Sequence, residues 1–286
     1  MREIGFIGTG IMGAAMAGHL MDAGYSLRVY NRSKEKAQPL IDRGAQWRET
    51  PADCVRDADA CITIIGTPRD VETVYLGRDG LIEAARPGAY LIDMTTSSPR
   101  LAQHIFEAAK ARGVFSIDAP VSGGDAGAKN AALSIMAGGT EEAFSACLPL
   151  FERMGKTITL AGGPGAGQHT KMVNQIAIAG TIAGVTEALT YAKAMGLSPE
   201  TVLACISGGA ADSFQLRSNG PKMIAGDFAP GFYIKHYLKD MGIALDEADQ
   251  RGLSLEVLRQ VEGMYRELRA RGMEDQGTQA LIQYYK

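Results

Sequence analysis

The sequence predicts a doubly wound parallel α/β sheet followed by an all-helical region, and two patterns carry this prediction. Over residues 1–160, short apolar runs rich in β-branched side chains alternate with segments of helical periodicity. Strands that are apolar on both faces and alternate with helices are typical of a parallel sheet covered on both sides. After a glycine-rich segment at 161–167, the strand pattern stops. The predicted strands are 4–7, 27–30, 60–65, 89–93, 115–118, 133–137 and 157–160.

The boundary between the two parts is predicted near residue 162, which gives a sheet domain of 1–162 and a helical domain of 163–286. From about residue 168 onward the apolar residues recur at helical spacing. The first helix is predicted to run to about residue 195. Its most apolar stretch carries Glu187 and Lys193, whereas a membrane span is almost free of charge. We therefore expect a buried helix and no membrane partner.

Composition limits the classes of function. A chain of 286 residues suggests two domains at roughly 150 residues each. The 29 Lys and Arg against 32 Asp and Glu give a net charge of −3, so no basic excess favours nucleic acid as a partner. The four cysteines form no CxxC pair, and the four histidines lack metal-ligand spacing, so no metal site is expected. The N-terminus lacks a signal peptide's basic and apolar regions, so we expect a cytoplasmic protein.

A glycine motif directly follows the first predicted strand and opens a helix. In the GxGxxG pattern, the first glycine permits a tight turn and the second lets a pyrophosphate approach the main chain. The third allows close packing of helix and strand. A motif of this kind can be an ordinary turn, but its position between strand and helix favours dinucleotide binding. The predicted cofactor residues here are Gly8, Thr9, Gly10, Ile11, Met12 and Gly13.

The end of the second strand predicts NADP rather than NAD. NAD-binding folds place Asp or Glu here to bind the ribose 2′-hydroxyl, whereas this chain has Asn31, Arg32 and Ser33. Arg32 offers a planar set of donors suited to a 2′-phosphate, and no carboxylate in the motif repels it. The alternative is that Arg32 is a solvated turn residue and Asn31 a helix cap.

Two further strand ends are candidates for the cofactor site. The carboxyl edge of such a sheet faces the ligand, so residues that follow the strands are expected to contact it. These residues could equally form turns and helix caps. The candidates are Gly66, Thr67, Pro68 and Thr95.

A polar stripe opens the long helix. Lys171, Asn174 and Gln175 stand at i, i+3 and i+4, so they project from one face. Such a stripe is typical either of a cavity wall or of a solvated helix start. Spacing alone leaves both interpretations open.

Together these segments resemble the β-hydroxyacid dehydrogenase family, which includes 3-hydroxyisobutyrate dehydrogenase and tartronate semialdehyde, glyoxylate and succinic semialdehyde reductases. The resemblance covers nearly the whole chain and rests on five short motifs in the same order. They are the glycine loop at 8–13, DAPVSGG at 118–124, LSIMAGG at 133–139, GAGQHTKMVN at 165–174 and the pair Lys239–Asp240.

The resemblance implies a set of site residues. Lys171 matches the family's catalytic lysine, and Lys239 is expected beside the cofactor. Phe232, which precedes the helix of Lys239, is a candidate to close the pocket near the nicotinamide, although an aromatic residue there is more often part of the core. Gln175 departs from the family pattern, which commonly has a second Asn there; Gln keeps the amide but is one methylene longer. Imine reductases related to the family typically replace the lysine, so Lys171 argues against that activity. The implied substrate residues are Ser122, Gly123, Gly124, Asn174 and Gln175.

The chemistry of these residues agrees with the resemblance. Reduction of a carbonyl by hydride generates an alkoxide, and Lys171 can both protonate it and stabilise its charge. Ser122 and the two glycines can bring a hydroxyl and main-chain N–H groups to a substrate carboxylate, although such a sequence alone is more often a turn. We therefore expect an NADP(H)-dependent oxidoreductase.

The substrate is expected to be a small acid that carries a carboxylate. Of the family's substrates, 3-hydroxyisobutyrate is preferred, with tartronate semialdehyde, glyoxylate and succinic semialdehyde as alternatives. A different class of function, a cofactor-binding sensor without turnover, is also considered. The helical domain, with its central helix of small residues, predicts a homodimer or homotetramer.

Overall fold

Nine strands form one sheet in the computed structural model, which describes residues 1–286. The order across the sheet is β3-β2-β1-β4-β5-β6-β8-β7, with β9 paired to β8. The strands are β1 (Glu3–Ile7), β2 (Ser26–Tyr30), β3 (Gln46–Trp47), β4 (Ala60–Thr63), β5 (Tyr90–Asp93), β6 (Phe115–Asp118), β7 (Val121–Ser122), β8 (Leu133–Gly138) and β9 (Gly155–Gly162).

Both faces of this sheet are covered, which confirms the predicted fold class. Successive residues of a strand point to opposite faces. In β1, Phe6 packs into one apolar core and Ile7 into a second, and in β4 Ile62 and Cys61 divide in the same way. The covering helices are α1 (Ile11–Asp22), α2 (Gln38–Ile41), α3 (Pro51–Val55), α4 (Pro68–Leu76), α5 (Leu81–Ala84), α6 (Pro99–Ala111), α7 (Gly124–Lys129) and α8 (Glu141–Phe151), with a 3₁₀ turn at Lys34–Ala37.

The sheet is not entirely parallel, in contrast to the prediction. Strand β8 runs antiparallel to β6 and β7, while every other pairing is parallel. The physical reason is the short connection: β7 continues from β6, and only residues 123–132 lead from β7 into β8, whereas a parallel return needs a crossover of about a dozen residues or more. Strands β3 and β7 were not predicted, because two residues carry no periodicity.

The chain divides into two compact units, Met1–Lys171 and Met172–Lys286. The predicted boundary near residue 162 coincides with the end of β9, whereas the units divide inside the following helix. The helices of the second part are α9 (Ala166–Ala194), α10 (Pro199–Ile206), α11 (Gly220–Ala225), α12 (Ile234–Asp249) and α13 (Glu256–Ala270), with a π-helix at Gln215–Asn219 and a 3₁₀ helix at Thr278–Tyr285.

Helix α9, predicted to be a buried helix, buries one face and exposes the other. Ile182 and Leu189 join the core of the helical unit, whereas Val173 and Tyr191 are each 65% exposed. By length and composition α9 could cross a membrane, and 39% of its apolar 18-residue stretch is buried. Core helices of soluble proteins also meet this criterion, so it carries little weight.

Candidate active site

The glycine loop between β1 and α1 has the geometry that each glycine predicts. Gly8 has a φ of +96°, and a Cβ there would lie 2.1 Å from the carbonyl oxygen of Ile64. A Cβ on Gly13 would lie 1.9 Å from the carbonyl oxygen of Gly8. These two positions therefore require glycine for packing of the turn and helix. Gly10 differs, because a Cβ there would meet nothing within 4 Å, and its outer side is open to a ligand.

The same loop fits the pyrophosphate of a dinucleotide. Helix α1 begins after Gly10 without a side-chain cap and without an acidic residue in its first turn, so its N–H groups and positive potential face outward. The hydroxyl oxygen of Thr9 is buried and has no hydrogen-bond partner in the protein. Together these groups offer donors to a bound phosphate. Ile11 is exposed and Met12 half-buried at the start of the helix.

The end of β2 is organised by Asn31. Its Oδ1 accepts the N–H of Thr9 at 3.1 Å, and its Nδ2 donates to the carbonyl oxygen of Ser33 at 2.9 Å. Asn31 therefore connects the glycine loop to the turn that carries Arg32. The Arg32 side chain is 81% exposed. Arg32 thus lies at the strand end where the sequence predicts recognition of the cofactor's 2′-phosphate.

Asp70 is a residue at this strand end that sequence reasoning missed. Its Oδ1 lies 3.5 Å from Arg32 Nη1, so a carboxylate is present where the motif alone contains none. The pair is exposed, and exposed ion pairs contribute little stability. Asp70 Oδ2 also accepts the N–H and the hydroxyl of Thr67, forming the capping box of α4. Its position is therefore fixed by the helix start rather than by Arg32.

The strand ends after β4 and β5 are tied together inside the sheet domain. Thr67 caps α4 and Pro68 is the first residue of that helix, so both also have the turn and cap roles that were the alternative to a cofactor role. Gly66 precedes this cap. Thr95 is buried; its Oγ1 accepts the N–H of Ile65 at 3.0 Å, and its own N–H donates to Asp93 Oδ1 at 3.0 Å. The roles of Gly66, Thr67, Pro68 and Thr95 toward the cofactor stay predictions.

Ser122, Gly123 and Gly124 form the turn from β7 into α7. Ser122 is half-buried and pairs with Ser134 of β8. Gly123 and Gly124 have φ values of +131° and +62°, a conformation that side chains with a Cβ rarely adopt. The glycine pair is therefore required by the turn itself. A substrate role for this turn stays a prediction.

Asp118, at the end of β6, holds the start of α9. Its Oδ1 accepts the N–H of Gly165 and its Oδ2 accepts the N–H of Gln168, both at 2.8 Å. Burial raises the pKa of the Asp118 carboxyl to about 7, although these two N–H donors act in the opposite direction. A Cβ on Gly167 would lie 2.5 Å from the carbonyl oxygen of Asp118, so the glycine lets the helix approach the strand.

Lys171 follows on the next turn of α9. Its side chain is 6% exposed, which is unusual for a lysine, since this residue type is almost never fully buried unless paired. Ser122 lies four residues beyond Asp118, and Lys171 lies three beyond Gln168. Asp118 thus fixes the start of α9 at the carboxyl end of β6. That the Lys171 amine and the Ser-Gly-Gly turn meet in one site stays a prediction.

The helical unit holds the other predicted residues. Asn174 Nδ2 donates to Gln175 Oε1 at 2.8 Å, and Gln175 Nε2 donates to the buried Asp240 Oδ2 at 2.6 Å. The Lys239 ammonium lies 3.2 Å from Asp240 Oδ1, an ion pair without the alignment of a hydrogen bond. Phe232 packs on Tyr237, with ring centroids 5.6 Å apart.

The longer side chain of Gln175 thus reaches Asp240. This contact was not predicted from the sequence. Tyr237 also donates its hydroxyl to the carbonyl oxygen of Gln175 at 3.0 Å. The substrate roles of Asn174 and Gln175, and the cofactor roles of Phe232 and Lys239, stay predictions.

Comparison with known families matches both parts of the chain. Residues 3–163 match the family model described as the NAD binding domain of 6-phosphogluconate dehydrogenase. Residues 165–285 match the model described as NAD-binding of NADP-dependent 3-hydroxyisobutyrate dehydrogenase.

Individual proteins are similar over nearly their full length. The chain is 51% identical to the uncharacterized oxidoreductase YkwC of Bacillus subtilis, covering 99% of each chain. It is 37% identical to 2-hydroxy-3-oxopropionate reductase of Escherichia coli, covering 98% of this chain and 96% of that one. Among solved structures, 3-hydroxyisobutyrate dehydrogenase of Mycobacterium tuberculosis with L-serine aligns with a TM-score of 0.91 at 30% identity, covering 99% of this chain and 98% of the other.

Proposed function

Because the chain belongs to the β-hydroxyacid dehydrogenase family, we propose that it interconverts a small β-hydroxyacid and its semialdehyde with NADP(H), using Lys171 as general acid/base. The observation that carries the proposal is the buried Lys171 at the start of α9, which Asp118 holds against the end of β6. A buried amine at the carboxyl edge of a dinucleotide-binding sheet is placed for proton transfer to a substrate that meets the cofactor there.

The proposed reaction assigns one role to Lys171 in each direction. When bound, NADPH supplies the hydride to the carbonyl carbon. The Lys171 ammonium stabilises the negative charge that develops on the carbonyl oxygen, and it then donates a proton to that oxygen. In the oxidative direction, the unprotonated amine accepts the hydroxyl proton. No metal ion is needed for these steps, because the ammonium provides both the charge and the proton.

The substrate's carboxylate is assigned to the turn of Ser122, Gly123 and Gly124. This turn offers a hydroxyl and main-chain N–H groups without side chains that would keep an anion at a distance. Holding the carboxylate at one end presents the reacting carbon in a fixed place, and orientation of this kind can lower a barrier by up to about 7–11 kcal/mol.

We rank 3-hydroxyisobutyrate first among substrates, with tartronate semialdehyde, glyoxylate and succinic semialdehyde as alternatives. Of the small residues beyond the turn, Ala126 is exposed, whereas Gly127 and Ala128 are buried, so the ranking rests on the family resemblance. The similar M. tuberculosis enzyme is named 3-hydroxyisobutyrate dehydrogenase, and its structure was solved with L-serine, which is itself a β-hydroxyacid. The similar E. coli enzyme is named for 2-hydroxy-3-oxopropionate. Nothing in the site favours the sensor alternative.

A steady-state panel tests the substrate class directly. Each acid is assayed against its neutral methyl ester with NADPH and with NADH. We expect kcat/KM for the acid to exceed that of the ester by about 10- to 100-fold, as for loss of hydrogen bonds to a charged group. Equal values for acid and ester would refute carboxylate binding. Cofactor binding without turnover on any substrate would establish the sensor instead.

Assembly and location are proposed on separate grounds. We propose a homodimer or homotetramer that covers the exposed face of α9, where Val173 and Tyr191 are open and a Cβ on Gly180 or Gly184 would meet nothing within 4 Å. Sedimentation equilibrium measures the mass, and a monomer at micromolar concentration would contradict it. A cytoplasmic location is supported by four free cysteines, since disulfides are rare in that reducing compartment.

A further inference from the structure

The first turn of α9 is attached to the sheet by two buried polar side chains that have no role in the proposed proton transfer. One is Asp118, which accepts the N–H groups of Gly165 and Gln168. The first N–H groups of a helix have no partner within it, so a buried helix start needs an acceptor of this kind. The approach is close, because a Cβ on Gly138 would lie 2.5 Å from the main-chain nitrogen of Gly167.

The other is Gln168, whose side chain is fully buried. Its Oε1 accepts the N–H of Ser97 at 2.8 Å, and its Nε2 donates to the carbonyl oxygen of Thr95 at 2.7 Å. Both ends of the amide therefore bind the main chain of the segment that follows β5. The sequence had no signal for this contact, since 71 and 73 residues separate the partners.

The segment that Gln168 binds is itself fixed to the next strand end. Thr95 donates its N–H to Asp93 Oδ1 and accepts the N–H of Ile65 through its hydroxyl oxygen, both at 3.0 Å. Asp93 also accepts the hydroxyl of Thr63 at 2.9 Å. Gln168 thus joins the start of α9 to the segments after β4 and β5, the strand ends at which such a sheet binds its cofactor.

Lys171 lies three residues after Gln168, so any movement of that turn moves the lysine. A lysine side chain is a flexible four-carbon stem and cannot define the position of its ammonium alone. Displacement of a reacting group by about 1 Å can cost about 100-fold in rate. The main chain at the base of Lys171 must therefore be held by something other than the lysine.

We propose that Gln168 and Asp118 are positioning residues that fix Lys171 relative to the cofactor-side segments after β4 and β5. Neither touches the reacting atoms; each acts through Lys171. The inference rests on the proposed acid/base role of Lys171. It adds that the rate of the proton transfer depends on a glutamine amide bonded at both ends, and on a carboxylate that accepts two main-chain N–H groups.

A double-mutant cycle separates positioning from folding. The variants are Gln168→Met, which keeps the length and apolar volume, Lys171→Ala, and the double variant. We expect Gln168→Met to lower kcat about 10- to 100-fold with the Kd for NADPH changed by less than about twofold. In the Lys171→Ala background it should lower kcat no further, because residues that act as a unit are not additive. Thr170→Ala is the matched control, since its hydroxyl donates only to Ala166 of the same helix.

Each result decides a different claim. An equal fold-loss from Gln168→Met in both backgrounds would overturn the positioning role while leaving Lys171 as the acid/base. Wild-type kcat for Lys171→Ala would overturn the proposed function and this inference together. If Gln168→Met fails to fold, Gln168→Glu replaces it, because it keeps an acceptor for the N–H of Ser97 and replaces the donor to the Thr95 carbonyl with an acceptor oxygen. Asp118→Asn keeps one acceptor oxygen, so its kcat is expected to decrease less than that of Asp118→Ala.

Discussion

Arg32 is the side chain on which the cofactor preference depends. It is exposed at the end of β2, and its ion pair with Asp70 is a weak surface contact. We expect Arg32→Ala to weaken NADPH about 10- to 100-fold, the range for hydrogen bonds to a charged group, and to leave NADH nearly unchanged. Fluorescence titration of both cofactors measures this. Arg69→Ala, an exposed arginine on α4, is the control, and equal losses for NADPH and NADH would contradict the preference.

Gln175 shows how one residue departs from the family pattern for a structural reason. Its amide reaches Asp240 Oδ2 at 2.6 Å, and Asp240 is 2% exposed. Gln175→Asn shortens this side chain and leaves a buried carboxylate oxygen without its donor, which costs about 1.5–3 kcal/mol of unfolding free energy. Urea unfolding measures the loss, with the exposed Gln250→Asn as control. An unchanged unfolding midpoint would show that the contact contributes nothing.

Among single residues, the sequence predicted those whose identity follows from local conformation. Gly8, Gly13 and Gly123 are dictated by turns and close approach, and each is where the motifs placed it. Asp70 and Gln168 were not foreseen as site residues. Their contacts depend on which strand ends become neighbours in the folded sheet, and local spacing does not contain that information.

The start of α9 is the element that decides whether the site forms. A Cβ on Gly167 would lie 2.4 Å from the carbonyl oxygen of Met136 and 2.5 Å from that of Asp118. We expect Gly167→Ala to destabilise the protein by about 1–3 kcal/mol, as overpacking does. The control is Gly263→Ala on α13, where a Cβ meets nothing within 4 Å. There the alanine is expected to stabilise the helix by about 0.5–1 kcal/mol.

Thermal or urea unfolding of the two glycine variants gives the comparison. Loss of stability for Gly167→Ala with a gain for Gly263→Ala supports the close approach of α9 to β6. Equal stability of the two variants would mean that the helix start moves away from the strand without cost.

Elements were predicted where apolar periodicity is long enough. All seven predicted strands exist, because each is a short run rich in apolar or β-branched residues. The reversed direction of β8 was missed, since it depends on the short connection from β7 over residues 123–132, and the two-residue β7 was not predicted. For α9, apolar composition predicted burial, but one face stays open. Apolar composition alone does not separate a face buried in the core from one left open.

For the whole molecule, the sequence predicted a sheet domain followed by a helical one, and the family models match these two parts separately. The order of five motifs identified the family because each reports a local requirement of the fold. The substrate could not be predicted in the same way. Selection among acids that differ by a methyl or hydroxyl group depends on pocket shape, and shape is distributed over residues that no single motif contains.

Single-turnover hydride transfer in Lys171→Ala tests most directly whether Lys171 transfers the proton. Enzyme preloaded with NADPH is mixed with the semialdehyde, and oxidation of the cofactor is followed by absorbance. Lys193→Ala, an exposed lysine near the end of the same helix, is the control. Loss of a general acid predicts a rate lower by about 100-fold or more with the Kd for NADPH nearly unchanged. A wild-type rate in Lys171→Ala would contradict the account.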